Sequence, residues 1–214
     1  PIDAAKQAIF DQGHAVGKLA RQLYPGGEEI SFSLYPFSKK FEKTKQLISD
    51  LSVPTIYEAT VESKEMMCMV DILHRSSDDT WELIEVKSNT SEKDNVVHDI
   101  AVQYFVLTEA GISLSKAKLV YLNNTYQRSG ELDVRKLFVT VDVTEKVMAL
   151  QETIRKEKIN FLSLLADSEV PSIPIGPYCS EPYDCDFKDH CWQSIPENSV
   201  FTLSRLSYEE KFKL

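Results

Sequence analysis

The sequence has 214 residues, of which 43% are hydrophobic and 27% charged, proportions that fit an ordinary globular protein with one full core. Its formal net charge of −9 argues against non-specific binding of nucleic acid by the whole surface, although it leaves room for a local basic groove. There is no apolar run of the ~18 residues that a membrane helix needs and no signal peptide, so we expect a cytoplasmic protein without a membrane partner.

Apolar periodicity divides the first part of the chain into helices and strands. It predicts a helix over 3–24, a short strand over 30–36 and a basic helix over 40–51. SKKFEKTK (38–45) in this helix is the strongest basic cluster, and a solvated helix face explains such a run more often than a phosphate track. Three strand-like runs follow: TIYEATVE, EMMCMVDILHR and TWELIEVKS. The SSDD between the last two predicts a hairpin turn.

The second part continues the alternation and then changes character. NVVHDIAVQYFVLTEAG predicts a helix that closes on Gly111, and AKLVYL and KLFVTVDV predict strands before a helix of about 144–166. This order indicates an α/β fold with one central mixed sheet flanked by helices. From Pro171 the sequence is rich in Pro, Cys, Tyr and Asp. We therefore expect a core domain over 1–170 and an irregular cysteine-containing segment, 171–214, packed on it.

Two carboxylates and a lysine are predicted to converge on the second and third strands. Asp71 interrupts an apolar strand, where a lone carboxylate is costly unless a metal, a cation or hydrogen bonds compensate it. Glu85 and Lys87 share one face of the next strand, and a turn near 76–80 brings Asp71 close to Glu85. Such a set suits metal-assisted phosphoryl transfer, with Mg²⁺ or Mn²⁺ on the carboxylates and the lysine steering the attacking water. A structural ion pair at a sheet edge is the alternative.

Other polar residues could join this site. His14 follows Gly13 in the first helix, and a neutral imidazole binds divalent metals well, although a satisfied helix histidine is the simpler explanation. Gln103 and Tyr104 lie on the helix after the third strand. They could meet DNA or the lysine, and Tyr104 could equally be core packing.

The cysteines form a separate pattern. Cys179, Cys185 and Cys191 are spaced C-x5-C-x5-C in the irregular segment, which favours a zinc or iron–sulfur role over core packing. Such sites take four ligands, and the fourth is not identified in this chain. Cys68 is predicted to be a buried core thiol. The absence of a secretion signal indicates a reducing compartment, and a chain that begins at Pro1 rather than Met is expected to be processed or cut from a longer protein.

Several motifs in order resemble one nuclease superfamily. Gly13-His14 on the leading helix, Asp71, Glu85-Val86-Lys87 and a helix carrying Gln103 resemble the PD-(D/E)XK nucleases, in particular their RecB-like branch, which includes CRISPR-associated iron–sulfur exonucleases. FDQGHAVGKLARQLYPGG, VDILHR…WELIEVKSNT, HDIAVQYFVL and YCSEPYDCDFKDHCW look closest to an uncharacterised bacterial domain family in that branch. The resemblance spans roughly residues 10 to 195 and is much more specific than ExK alone.

The resemblance implies a restriction-endonuclease-like core that cleaves DNA with a divalent metal. His14, Asp71, Glu85 and the Val86 carbonyl would bind the metal, Lys87 would be the catalytic lysine, and Gln103 and Tyr104 would position substrate. Ser88 and Asn89 would contact a phosphate. The cysteines would be most of a [4Fe–4S] site that staples the C-terminal segment; in cluster-bearing relatives the first cysteine lies upstream of the nuclease core.

Two functions of different classes follow. The first is a metal-dependent DNA nuclease, an exonuclease or single-strand-specific enzyme of DNA repair or defence, acting on DNA that is single-stranded or has free ends. The second is a catalytically idle nucleic-acid-binding module, or an iron–sulfur or zinc scaffold, that keeps the nuclease fold. Turnover that depends on metal separates the two.

Overall fold

The computed structural model describes residues 4–76, 79–181 and 183–214, and the chain forms two compact units, Pro1–Ile159 and Asn160–Leu214. The predicted SSDD turn falls partly on Ser77 and Asp78, which lie outside the described residues. The helices are α1 (Ala4–Ala20), α2 (Phe37–Ser49), α3 (Asp94–Glu109), α4 (Val134–Leu137), α5 (Thr144–Ala166), α6 (Lys188–Trp192) and α7 (Tyr208–Lys211). The strands are β1 (Glu28–Glu29), β2 (Thr55–Ser63), β3 (Met66–Arg75), β4 (Trp81–Lys87), β5 (Leu114–Leu122) and β6 (Phe138–Asp142).

The six strands form one sheet in the order β1-β2-β3-β4-β5-β6. The outer pair β1–β2 and the central pair β4–β5 are parallel, and the other neighbours are antiparallel. The antiparallel β2–β3–β4 meander follows from short turns, whereas the parallel β4–β5 pair needs the crossover that α3 supplies. The predicted α/β class with a central mixed sheet and flanking helices is confirmed.

Helices cover both faces of this sheet. On one face, α3 and α2 pack apolar side chains such as Ile100, Phe105 and Leu47 against the strands in the larger buried cluster. On the other face, Val16 and Ala20 of α1 pack in a smaller cluster. Residues that alternate along β4 therefore meet either α3 or α1, and this alternation decides which helix faces the polar residues at its end.

Two predicted strands differ from the structure. The predicted strand over 30–36 is wrong: β1 ends at Glu29, and a turn follows in which the Leu34 backbone N–H donates to the Ser31 carbonyl at 3.1 Å. Serine side chains and Pro36 favour turns over strand pairing. The predicted strand KLFVTVDV begins two residues late, at Phe138, because the Asp133 carboxylate accepts from backbone N–H groups and caps the short α4.

The second unit is built from the end of α5, short helices and turns. Its aromatic side chains pack on one another: the Trp192 ring lies 4.7 Å from that of Phe201 and 5.8 Å from that of Tyr208, between centroids. Aromatic pairs at such distances stabilise a small unit beyond the area that they bury. Among the helices in the described parts of the chain, none is long and apolar enough to cross a membrane.

Candidate active site

Asp71 lies where β3 and β4 separate. The ladder between these strands runs from the Arg75–Trp81 pair to the Ile72–Ile84 pair, so the predicted antiparallel arrangement is confirmed. Beyond this pair, the backbone N–H of Val86 donates to Oδ2 of Asp71 at 2.8 Å. A side chain thus takes the place of a strand partner and holds the Asp71 carboxylate against the backbone of the ExK segment.

A break in the strand alternation gives Asp71 this orientation. Val70 and Leu73 both pack in the larger cluster, whereas Ile72 packs in the smaller one, although regular alternation would place Val70 and Ile72 on the same face. On the neighbouring strand Glu58 has a φ of 57°, a left-handed conformation that is uncommon for a residue with a side chain. Such outliers persist where the surroundings enforce them, and they concentrate at functional sites.

Glu85 is fixed by two donors of the same unit. The residue is only 6% exposed, on the face of β4 that meets α3. Its Oε1 lies 2.8 Å from Nζ of Lys87, and its Oε2 accepts from Nε2 of Gln103 at 2.8 Å. Because charge-assisted hydrogen bonds are the strong ones, the carboxylate is held in one orientation at the end of the strand.

Lys87 is shared between two carboxylates. Besides Glu85, its Nζ lies 3.6 Å from Oδ2 of Asp99 on α3. Burial disfavours the ammonium form, but the charge of Glu85 and then that of Asp99 outweigh it, so the pKa of Lys87 lies above its ordinary value. Lys87 therefore remains protonated at neutral pH and contributes a fixed positive charge to the site.

Asp71 is held in a setting that opposes its ionisation. Burial and then the negative charge of Glu85 raise the pKa of Asp71 well above its ordinary value, although the Val86 N–H acts in the opposite direction. Glu58 adds a weaker repulsion. Without a cation this carboxylate is thus one that the fold holds at an energetic cost.

The donor set suits a hydrated divalent cation. Mg²⁺ is usually bound through one or two carboxylates and keeps several waters, and Asp71 with Glu85 supplies two carboxylates on adjacent strands. Two buried side-chain acceptors lack a hydrogen-bond partner among the described residues: Oε1 of Gln103, beside Glu85, and Oδ1 of Asn89, two residues beyond Lys87. Buried acceptors normally have a donor, so water bound to a cation at Glu85 would satisfy Oε1 of Gln103, whose Nε2 already bonds Glu85.

The structure does not bring His14 into this set. His14 is exposed on α1, whereas Val16 and Ala20 of the same helix face the sheet. In a helix His14 lies about 200° around the axis from Val16, which is the solvent side. Over residues 4–76, 79–181 and 183–214, no three His, Cys, Asp or Glu side chains gather into a metal-binding group. The ligand role of His14 and of the Val86 carbonyl stays a prediction.

Of the adjacent pair on α3, only Gln103 contacts the carboxylates. Tyr104 is half-buried and packs against the larger apolar cluster. Neighbouring helix residues point about 100° apart, so when Gln103 reaches the carboxylates, Tyr104 points elsewhere. The contact of Tyr104 with substrate stays a prediction.

Two further acidic residues were missed in the sequence. Asp99 lies four residues before Gln103 and so on the same face of α3, a spacing that could have revealed it. Glu58 lies opposite Asp71 at the break in β2, where its Oε1 pairs with Nη2 of Arg21 at 2.8 Å. Nothing in TIYEATVE signals the left-handed backbone that places it there.

The cysteines divide into one core thiol and three in the second unit. Cys68 is buried, as predicted, and burial together with the charge of Glu85 raises its pKa to about 12. Cys179 is buried, Cys191 is half-buried and Cys185 is exposed, and all are free thiols. The Cys185 N–H donates to the Cys179 carbonyl at 2.9 Å. Over the described residues no three metal-ligating side chains gather into one group, and the zinc or iron–sulfur role of these cysteines stays a prediction.

This arrangement predicts a strong order of thiol reactivity. In metal-free protein an alkylating reagent should modify Cys185 at least about tenfold faster than Cys68, because reactivity requires access and thiolate character. Mass spectrometry of timed samples measures the rates. If the C-x5-C-x5-C array takes up zinc or an iron–sulfur cluster under anaerobic loading, labelling of Cys185 and Cys191 should fall together. Unchanged labelling in loaded protein would show that the array does not bind these metals.

Comparison with protein-family models and with curated proteins finds no match. Among solved structures, one described as the crystal structure of SSO0001 is 12% identical, over 74% of this chain and 79% of that chain, with a TM-score of 0.27. A likeness at that TM-score carries no argument, so the function must be inferred from the geometry of the site.

Proposed function

We propose that the protein is a divalent-metal-dependent DNA nuclease with a restriction-endonuclease-like core of the RecB-like branch. One observation carries the proposal: the Asp71 carboxylate is bonded to the backbone between Glu85 and Lys87, at the point where two strands separate. This unites the two carboxylates and the lysine in one place. A surface ion pair needs no half-buried aspartate between two strands, and it does not explain why the fold keeps a carboxylate whose surroundings oppose its ionisation.

The topology supports the same assignment. A helix, a three-stranded antiparallel meander, a crossover helix and a parallel strand follow one another from α1 to β5. Asp71, in the middle of β3, contacts the end of β4 through the Val86 N–H, and Glu85 contacts Gln103 of α3. One fold hosts many activities, so this topology alone does not distinguish a nuclease from a protein of another function.

Each side chain has a role that its contacts support. Asp71 and Glu85 would hold Mg²⁺ or Mn²⁺, which supplies an activated water and neutralises charge on the phosphate oxygens. Gln103 fixes the orientation of Glu85, and such supporting residues tune metal sites strongly. Lys87, protonated and 2.8 Å from Glu85, stabilises the negative charge that develops on the phosphate.

One observation favours the idle alternative. Both oxygens of Glu85 already have donors within the chain, from Lys87 and Gln103. A carboxylate that already accepts hydrogen bonds is stabilised less by binding a metal than a carboxylate without donors. The alternative, a nucleic-acid-binding module without turnover, therefore has to be tested by the same assay.

The test is cleavage of end-labelled DNA by the purified protein. We expect degradation of single-stranded oligonucleotides, and of duplexes with free ends, in Mg²⁺ or Mn²⁺, and none in EDTA, because the carboxylates need a cation to act on a phosphodiester. Closed circular duplex should resist cleavage. Gel electrophoresis of timed samples gives the rate and the product sizes.

The matched control variant is Asp142→Asn. Asp142 also bonds a backbone N–H, that of Thr144 at 3.0 Å, but lies at the end of β6, so the variant should cleave at the wild-type rate. Salt-dependent DNA binding without cleavage in either metal would contradict the nuclease and establish the idle module instead.

A further inference from the structure

A cluster of exposed aromatic rings follows β1. Phe32 is 84% exposed, Tyr35 77% and Phe37 41%, and exposed aromatics grouped in one short segment mark a binding surface more often than isolated ones do. Together with Lys39, Lys40 and Lys43 we call these residues the aromatic–lysine platform.

The rings of the platform are ordered by one another and by a lysine. The Tyr35 and Phe37 centroids lie 6.5 Å apart, and Phe37 stacks on Phe41 at 6.4 Å. Nζ of Lys40 lies 4.8 Å from the Phe32 centroid and 5.2 Å from that of Phe37. Lys40 is only 5% exposed, so this cation is enclosed by two ring faces, a favourable arrangement. The rings are thus held in place while their outer faces remain open.

The platform is positively charged in an acidic protein. Residues 31–45 contain four lysines and one glutamate, against a formal net charge of −9 for the whole chain. Lys39 and Lys43 are exposed on α2 beside the rings. An anionic ligand would therefore be attracted to this part of the surface and repelled from much of the rest.

The strand register connects the platform to the candidate active site. The pairing of neighbouring strands can be extended by one residue beyond the Ile72–Ile84 pair. One residue from each of four neighbouring segments then lies in a single row across the sheet: Ile30, Glu58, Asp71 and Glu85. The Ile30 N–H still donates to the Tyr57 carbonyl at 3.0 Å, which holds it beside β2. Adjacent strands lie about 4.8 Å apart, so this row spans about 14 Å. The platform begins two residues past its end, at Phe32.

We propose that the aromatic–lysine platform binds unpaired nucleotides of single-stranded DNA. Bases stack on the open faces of Phe32 and Tyr35, and Lys39 and Lys43 contact the intervening phosphates, which is how proteins hold single strands without reading sequence. That the bound strand continues to Asp71 and Glu85 rests on the proposed nuclease function. The binding itself does not.

The composition of the platform favours a nucleic acid over a lipid surface. Its exposed apolar residues are aromatic, whereas Leu34, the aliphatic residue between them, is half-buried and packs against the core. Helices that enter membranes present a broad face that includes aliphatic side chains. Flat rings interleaved with lysines suit base stacking and phosphate contact instead.

The test measures binding without cleavage. Fluorescence anisotropy in EDTA compares a labelled oligo-dT with an abasic oligonucleotide of the same length, so that phosphates are matched and only bases differ. Wild-type protein should bind oligo-dT about 10-fold or more tightly than the abasic strand, because bases stack on the exposed rings and the abasic strand has none. Phe32→Ala with Tyr35→Ala should remove that difference. Leu51→Ala, an exposed apolar residue beyond the other end of α2, should retain it.

The salt dependence tests the lysines separately. Affinity for DNA falls as salt rises. Lys39→Ala should make the slope of log affinity against log salt less negative by about 0.7, the value for one phosphate of a single strand. The inference is overturned if wild-type protein binds both strands equally, if the double variant keeps the difference, or if vesicles containing phosphatidylserine displace oligo-dT. Cleavage that persists in the double variant at saturating DNA, together with lost base preference, supports the platform. If none of the proteins cleaves DNA but the wild-type protein still prefers oligo-dT to the abasic strand, only the proposed nuclease function is refuted.

Discussion

Asp71→Asn is expected to abolish metal-dependent cleavage and, at the same time, to raise the melting temperature of the metal-free protein. Asparagine keeps an oxygen that can accept from the Val86 N–H, now 2.8 Å from Asp71 Oδ2, so the hairpin should keep its geometry. It removes one of two carboxylates that would hold the cation, and the metal's contribution of several kcal/mol corresponds to about a 1000-fold loss of rate.

The gain in stability has an electrostatic origin. Burial and the charge of Glu85 oppose ionisation of Asp71, so a neutral side chain of the same shape should increase the free energy of unfolding by about 1–3 kcal/mol. For a unit of this size that is a rise of about 5 °C in melting temperature. Such a trade of stability for activity is typical of functional residues. Thermal unfolding followed by circular dichroism in EDTA measures it.

The gain in stability from Asp71→Asn should depend on pH in a definite direction. The folded-state pKa of Asp71 is raised above the ordinary value of 3.8, so between these two values the folded protein holds a proton that the unfolded chain has released. Stability then falls as the pH rises through that window. The stability of Asp71→Asn lacks this decrease with pH. The difference in free energy of unfolding between the variant and the wild type should therefore be small near pH 4 and grow toward neutral pH.

Asp142→Asn controls for the substitution itself. It should leave cleavage unchanged, and it should keep the wild-type fall in stability between pH 4 and neutral pH. The hydrogen bonds from Thr144 hold the pKa of Asp142 below its ordinary value, so the pH dependence that this variant loses lies at more acidic pH. If Asp71→Asn retained cleavage, the metal would not lie where we propose. A lower melting temperature in EDTA would instead mean that the Asp71 carboxylate stabilises the fold even without a cation.

The central hairpin could be predicted from the sequence because local rules determine it. A polar turn between two apolar runs forces the antiparallel β3–β4 pair, and strand alternation puts Glu85 and Lys87 on one face. An acidic residue in an apolar run is rare enough to attract attention, and Asp71 does lie against β4. These inferences need only neighbours in sequence or across one turn.

The missed features depend on the three-dimensional surroundings. The left-handed Glu58 is set by the pairing of β2 with β3 at the break, and no residue preference in the segment signals it. The exposure of His14 depends on which face of α1 the sheet selects, and apolar periodicity narrows that face only to within a residue or two. The segment 30–36 has β-favouring residues but makes a turn, because its serines bond locally.

Lys87→Met is expected to separate metal binding from catalysis. The methionine retains the length and apolar stem of the lysine but lacks the charge that lies 2.8 Å from Glu85 Oε1 and 3.6 Å from Asp99 Oδ2. Losing a positive charge that competes for the carboxylate should tighten Mn²⁺ binding by about 3- to 10-fold, roughly 1 kcal/mol. Losing the group that stabilises developing charge on the phosphate should lower kcat by about 100- to 1000-fold.

Two measurements with a matched variant decide between this role and a structural one. Calorimetric titration of Mn²⁺ gives the affinity, and cleavage at saturating metal gives kcat. Lys116→Met replaces an exposed lysine of β5 whose acidic contact, Asp142, is 4.0 Å away, so it should leave both values unchanged. If the only role of Lys87 were to hold Glu85 in its orientation, losing Lys87 would weaken Mn²⁺ binding, and excess metal would restore cleavage. Tighter metal binding with cleavage still absent is the pattern that a catalytic lysine requires.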